Sequence, residues 1–271
     1  MPGQPRHIGI VGCGTIGRAI ARAIDDGTVI ARLVALHSRD EEKARAFAAS
    51  LQQAPPVVSL DELIARADLV VEAATQAALA TIAPRTLSAG KDLMVLSVGA
   101  LLEHPEWPQL AARHGCRLYV PSGAIVGLDG VKGACVGQVA SVTITTRKPP
   151  RGLAGAPYLV AHGIDVLALQ EATVVFEGTA REACKGFPAN VNVAAALSLA
   201  GVGPERTRIR IIADPQCTRN THDIEVVGEF GRLVAHVENV PSETNPRTGK
   251  LSYLSAIALL KELTQPVRYG T

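Results

Sequence analysis

Residues 8–17 read IGIVGCGTIG. A short apolar run, His7 to Val11, leads directly into Gly12-x-Gly14-x-x-Gly17, and Arg18 to Ile24 then sets Ile20 and Ile24 on one helical face. The order strand, tight turn, helix is what gives the glycines meaning. Gly12 permits the turn, Gly14 lets the backbone lie against a pyrophosphate, and Gly17 lets helix and strand pack closely. Amide groups and the helix dipole attract phosphates at such a point. The segment predicts a dinucleotide-binding turn with Gly12, Gly14, Thr15, Ile16 and Gly17 as candidate contacts; Ala74, after a later buried strand, is a further one.

Outward from the turn, Ile30 to His37 reads as a second strand and Asp40 to Leu51 as an amphipathic helix with Asp40 as N-cap. Leu69 to Ala73, Leu93 to Val98 and Arg117 to Val120 read as further strands. Helices and strands alternate with short connections, which predicts a doubly wound parallel (Rossmann) sheet. After Pro121 the pattern changes. Ala134 to Thr146, Ala172 to Glu177, Arg208 to Ala213, Asp223 to Glu229 and Arg232 to Val237 are strand-like, with a turn at Gly231. They predict a second α+β domain on a largely antiparallel sheet. RKPPRGLAGAP reads as a loop, and Leu251 to Leu263 as a closing amphipathic helix that packs back on the first domain. The expected division is 1–121 plus 246–271 for the dinucleotide-binding domain and 122–245 for a substrate domain that also forms a dimer surface.

Composition narrows the partners. The chain has 271 residues, 47% hydrophobic and 19% charged, with a formal charge of +2, so it is expected to be a soluble globular protein. Aromatic residues are 3% and no basic run forms a stripe, which argues against nucleic acid. Cys13, Cys116, Cys135, Cys184 and Cys217 form no C-x-x-C pair, so neither a metal cage nor a disulfide framework is expected. No leader and no long apolar run is evident; a cytoplasmic location without membrane contact follows as the expectation.

The second strand ends at His37-Ser38-Arg39, where an acidic residue would accept the ribose hydroxyls of NAD. Ser38 and Arg39 can instead meet a 2′-phosphate, or Asp40 can shift in for NAD; both NAD and NADP stay open. PSGAIVGLDG, residues 121–130, is glycine-rich enough to lie against a flat nicotinamide, or to be a plain crossing loop. In EACKGFPANVNVAAALSLAG, Pro188 suits the first turn of a helix, and Asn190, Asn192 and Lys185 can bind a carboxamide or a dicarboxylate. Asn190 can equally cap its own helix and Lys185 can be solvated. Hydride transfer also needs a proton-moving group near neutral pH. Of the seven histidines, His222 stands where the polar RNTHD loop enters an alternating strand, a position from which it can face a cleft or sit as a structural residue.

Together IGIVGCGTIG, DLVVEAATQAAL, LSVGAL, PSGAIVGLDG, KGFPANVNVAAALSLAG, THDIEVVGEFG and NPRTGKLSYLSAIA resemble the L-aspartate dehydrogenase family along nearly the whole chain. The resemblance implies NAD(P)-dependent oxidation of L-aspartate to iminoaspartate, which yields oxaloacetate and ammonia or feeds NAD biosynthesis. It also implies cofactor contacts at Ala124 and Asn190 and an active-site histidine at His222. A homodimer is expected. Two rival expectations are a reductase of another small imine or oxo acid, and an NAD(P)-sensing module that has lost catalysis. The intact THDIEV segment argues against the second.

Overall fold

The computed structural model describes residues 5–188, 191–243, 245 and 248–270. The chain divides into two compact units. One runs through Pro121 and takes in Tyr253–Arg268; the other takes Ser122–Ser252 with Tyr269 and Gly270.

In the first unit β1 (Arg6–Val11) enters the glycine turn and α1 (Thr15–Asp25) leaves it. Then come β2 (Ala31–His37), α2 (Glu41–Ala49), α3 (Leu60–Arg66), β3 (Leu69–Glu72), α4 (Gln76–Ser88), β4 (Asp92–Val95), α5 (Trp107–Arg113) and β5 (Leu118–Tyr119). All five strands are parallel, in the order β2-β1-β3-β4-β5. The chain leaves β1 in one direction for β2 and returns to its other side for β3. That reversal opens a crevice beyond the carboxyl ends of β1 and β3, where ligands of such sheets sit. Local signals start the helices. Asp40 accepts from the Lys43 N–H, Ser59 from Glu62 and Thr75 from Ala78, each cap contributing about 1 kcal/mol.

The fourth strand stops earlier than the sequence suggests. Beyond Val95 the chain turns, and Val98–Leu102 coils into a buried 3-10 helix: the Leu96 N–H reaches both the carbonyl and the side chain of Glu72, the last residue of β3, and the Ser97 N–H goes to that side chain.

The second unit begins with α6 (Leu128–Ala134) and β6 (Val139–Lys148). The expected strand over Ala134 to Thr146 is corrected at its start: Ala134 ends a helix and pairing begins at Val139. RKPPRGLAGAP is also more ordered than a plain loop. It holds a 3-10 turn at Pro150–Gly152, buries Leu153 completely, and leads into α7 (Pro157–Ala161). There follow β7 (Thr173–Thr179), α8 (Ala180–Gly186), α9 (Asn192–Ala200), β8 (Thr207–Ala213), β9 (Asn220–Gly228), β10 (Gly231–Asn239) and α10 (Lys250–Thr264). Thr179 and Glu182 start α8 with a reciprocal capping box. The strand order is β10-β9-β6-β8-β7; β6 and β8 are parallel and the other pairs antiparallel, so the sheet is mixed and mostly antiparallel.

Tyr253–Arg268 returns α10 to the first unit, where Ala256 and Leu260 are fully buried with Ile8, Ile10, Ile20, Leu36 and Met94.

Substituting the two inner glycines of the turn should separate packing from ligand approach. A Cβ on Gly17 would lie 1.9 Å from the Gly12 carbonyl oxygen, whereas one on Gly14, at φ −81°, would meet nothing within 4 Å. Gly17→Ala should cost about 1–3 kcal/mol in denaturant unfolding, while Gly14→Ala, where the entropy gain of the unfolded chain is set against a poorer N-cap, should change stability by less than about 1 kcal/mol. Equal losses for the two variants would refute this account.

Candidate active site

At the first unit's crevice, Gly12 adopts φ +103° and a Cβ there would lie 2.3 Å from the Ala73 carbonyl oxygen. Its N–H donates to the His37 carbonyl at 2.8 Å, tying the turn to the end of β2. Gly14, the N-cap of α1, offers no side-chain cap, and the space above its Cα is open. An uncapped helix start behind a bare glycine fits a pyrophosphate. The remaining expected contacts are on the same edge: Thr15, Ile16 and Gly17 open α1, and Ala74 follows β3.

The loop carrying Ala74 is held by a residue that sequence reasoning missed. Glu72 is completely buried, with its two carboxylate oxygens accepting from Ala74 N (2.8 Å), Ser97 Oγ (2.8 Å), Ser97 N (2.9 Å) and Leu96 N (3.2 Å). Burial outweighs these bonds and holds its carboxyl above the usual carboxylate range. The available signal was a charged residue at the carboxyl end of an otherwise apolar strand.

At the end of β2, Ser38 is half-buried and Arg39 exposed. Asp40 is committed elsewhere, since its carboxylate caps α2 and pairs with the Lys43 ammonium at 2.8 Å. His37 is likewise engaged, with Nδ1 2.9 Å from the Val58 carbonyl oxygen.

In the second unit the inward face of the sheet is apolar along most of its length, through Val142, Ile144, Ile209, Ile211, Ile224 and Val226. Its last rungs are polar. Period-two alternation on β6 brings Thr146 and Lys148 inward after Val142 and Ile144. Thr146 pairs in register with His222 of β9, which in turn faces Val237 of β10, and Asn239 closes that strand at the same end. Thr146 Oγ1 lies 2.9 Å from His222 Nδ1. The hydroxyl can donate to Nδ1 or accept from it, and that choice sets whether Nε2 is a donor or a base. His222 is 2% exposed; burial, and behind it the Lys148 charge, pushes its pKa down to about 3, so the imidazole is neutral at physiological pH. Burial alone pushes Lys148 down to about 8.

Ala124 is buried, and its carbonyl accepts from Asn239 Nδ2 at 2.9 Å. The SGAI segment is thus brought to the edge that holds His222. The FPANVN segment begins on a firm anchor: Phe187 is completely buried, 5.5 Å from the Tyr158 ring and 5.4 Å from Phe176. Asn190 lies outside the described residues. Pro188 does not open a helix as expected, because α8 ends at Gly186 and α9 starts only at Asn192; Pro188 lies in the link. Lys185, on the last turn of α8, and Asn192 are both exposed. The lysine whose charge acts on His222 is Lys148, which sequence reading passed over because the strand was expected to end at Thr146. Among the described residues no group of three or more His, Cys, Asp or Glu is placed to hold a metal ion, and no helix is long and apolar enough to cross a membrane.

Residues 129–263 match the family "Aspartate dehydrogenase, C-terminal", and residues 12–121 match "Homoserine dehydrogenase, NAD binding domain". The chain is 53% identical over 268 residues to an L-aspartate dehydrogenase of Methanosarcina mazei, covering 97% of this chain and 99% of that protein. It is 47% identical over 265 residues to one from Bradyrhizobium diazoefficiens, covering 98% and 94%. The crystal structure of aspartate dehydrogenase from Thermotoga maritima shares the fold, with a TM-score of 0.72 at 24% identity over 98% of this chain and 99% of that one.

The depressed pKa of His222 has a stability consequence. Between the ordinary 6.5 and about 3, the unfolded chain binds a proton that the native chain refuses. Stability should fall as pH drops through this window, with His222 contributing up to about 1.4 kcal/mol per pH unit. Denaturant unfolding at pH 7.5, 6 and 5 should show a shallower decline for His222→Gln than for the parent, and parallel declines would contradict a neutral buried imidazole.

Proposed function

The chain belongs to the L-aspartate dehydrogenase family, and on that premise we propose that His222 is its proton-handling catalytic residue. The protein is an NAD(P)-dependent oxidoreductase that oxidises L-aspartate to iminoaspartate, which goes on to oxaloacetate and ammonia or into NAD biosynthesis. The observation that carries the His222 reading is a neutral imidazole, hydrogen-bonded to Thr146, on the sheet edge to which Asn239 holds Ala124.

In this reading Gly12, Gly14, Thr15, Ile16, Gly17 and Ala74 hold the pyrophosphate end of the cofactor, and Ala124 and Asn190 its nicotinamide end. When bound, the nicotinamide supplies the acceptor for the hydride that leaves Cα of aspartate. The neutral His222 then takes a proton from the water that attacks the iminium carbon. It returns that proton to nitrogen, and the carbinolamine collapses to oxaloacetate as its hydroxyl proton passes to the departing amine, which leaves as ammonium, so no net proton stays on the enzyme. Thr146 orients the ring, and with its hydroxyl accepting from Nδ1–H the Nε2 atom is the base. Lys185 and Asn192 remain candidates for substrate contact.

The two cofactors differ at the 2′-position. Because Asp40 is engaged as a cap, Ser38 and Arg39 are the side chains left to meet that end, which favours use of NADP alongside NAD. We also take the enzyme to be a cytoplasmic homodimer with no nucleic-acid partner. Five free thiols and the exposed Val174 and Val234 on the edge strands β7 and β10 support this.

Following absorbance at the nicotinamide band with L-aspartate, D-aspartate, glutamate and malate should show turnover of L-aspartate. His222→Ala should lower kcat by about 10²–10⁴-fold while cofactor affinity, measured by fluorescence titration, is unchanged. Near-normal kcat in that variant removes His222 from the chemistry. Arg39→Ala should raise KM for NADP roughly tenfold or more and leave KM for NAD nearly unchanged, and an unaltered KM for NADP would defeat the phosphate role.

A further inference from the structure

Lysine is almost never buried on a sheet face unless its charge is used, because an aliphatic side chain would pack there without the cost of removing an ammonium from water. Lys148 is 7% exposed and follows Val142, Ile144 and Thr146 on the inward face of β6. Its register partner on β8, Ala213, is small and fully buried. The edge it belongs to carries Thr146, His222 and Asn239. Of these four side chains, Lys148 alone holds a positive charge at neutral pH, since His222 is neutral. Aspartate and oxaloacetate each bring two carboxylates, and a carboxylate removed from water needs a cation or convergent N–H donors.

We propose that Lys148 is the cation that receives one carboxylate of the dicarboxylate substrate, on the sheet edge that also carries His222. The assignment rests on the reading of His222 as the catalytic residue, because it places the substrate at that edge. It also gives binding a second effect: an anion against Lys148 offsets the positive charge acting on His222, so the imidazole accepts a proton more readily when substrate is present.

The test is steady-state kinetics of Lys148→Met and Lys148→Arg, with succinate as a competitive dicarboxylate and cofactor titration as the check on folding. Lys148→Met should raise both KM for L-aspartate and the inhibition constant of succinate about thirtyfold or more, with cofactor affinity kept, and Lys148→Arg should recover part of the loss. If Lys148→Met fails to bind cofactor, Lys148→Gln takes its place against the arginine variant under the same criteria. Unchanged KM and succinate inhibition overturn the proposal. So does a fall in kcat with both constants unchanged, which would make Lys148 a proton carrier. His222→Ala distinguishes the two assignments: full turnover there, with Lys148→Met losing aspartate and succinate affinity, would discard the histidine and keep the lysine.

Discussion

The first unit is organised around one close approach, that of the backbone at Gly12 to the backbone at Gly17 and at Ala73. Neither glycine position has room for a methyl group, so β1, the start of α1 and the end of β3 meet main chain to main chain. This contact keeps the start of α1 next to the carboxyl edge of the sheet. Glu72 carries the same constraint one strand further. Its buried carboxylate gathers amides from the segments after β3 and β4, and so fixes loops that would otherwise drift independently.

In the second unit the organising demand is electrostatic. An apolar sheet face ends in a hydroxyl, an ammonium, an imidazole and an amide, all buried, and each pays a desolvation cost that packing alone would not justify. The arrangement sets the protonation state of His222 twice over, through burial and through Lys148. The same two effects that keep the ring neutral also weaken it as a base, so its readiness to take a proton depends on what offsets the Lys148 charge.

Much of this was legible in the sequence, for reasons that can be named. The glycine turn, the Asp40 cap and the alternation along Arg208 to Ala213 are local signals, and they match β1, α1, α2 and β8 closely. The start of β6 differs from the expectation because Ala134 to Gly137 is apolar and small, as compatible with a helix end as with a strand. Lys148 escaped notice for a related reason. A lysine before two prolines looks like the edge of a loop, and only the pairing of β6 with β8 extends the strand to include it. Glu72 and Asn239 act across 25 and 115 residues of chain, on Ser97 and Ala124 respectively, and no local pattern encodes such partners. For His222, position left two roles open, and the motif set shared with the family, not periodicity, singled it out.

The return of α10 to the first unit has a consequence for biosynthesis. Ala256 and Leu260 fill a core whose other fully buried residues, from Ile8 to Met94, were made more than 150 residues earlier, whereas the strands of the other unit all lie within Ser122–Ser252. As the chain leaves the ribosome, the later-made unit has all its strands in hand while the earlier one still lacks a wall. Vectorial synthesis thus favours an inverted order of maturation, in which the nucleotide-binding half reaches its final packing last and a truncated product lacks it.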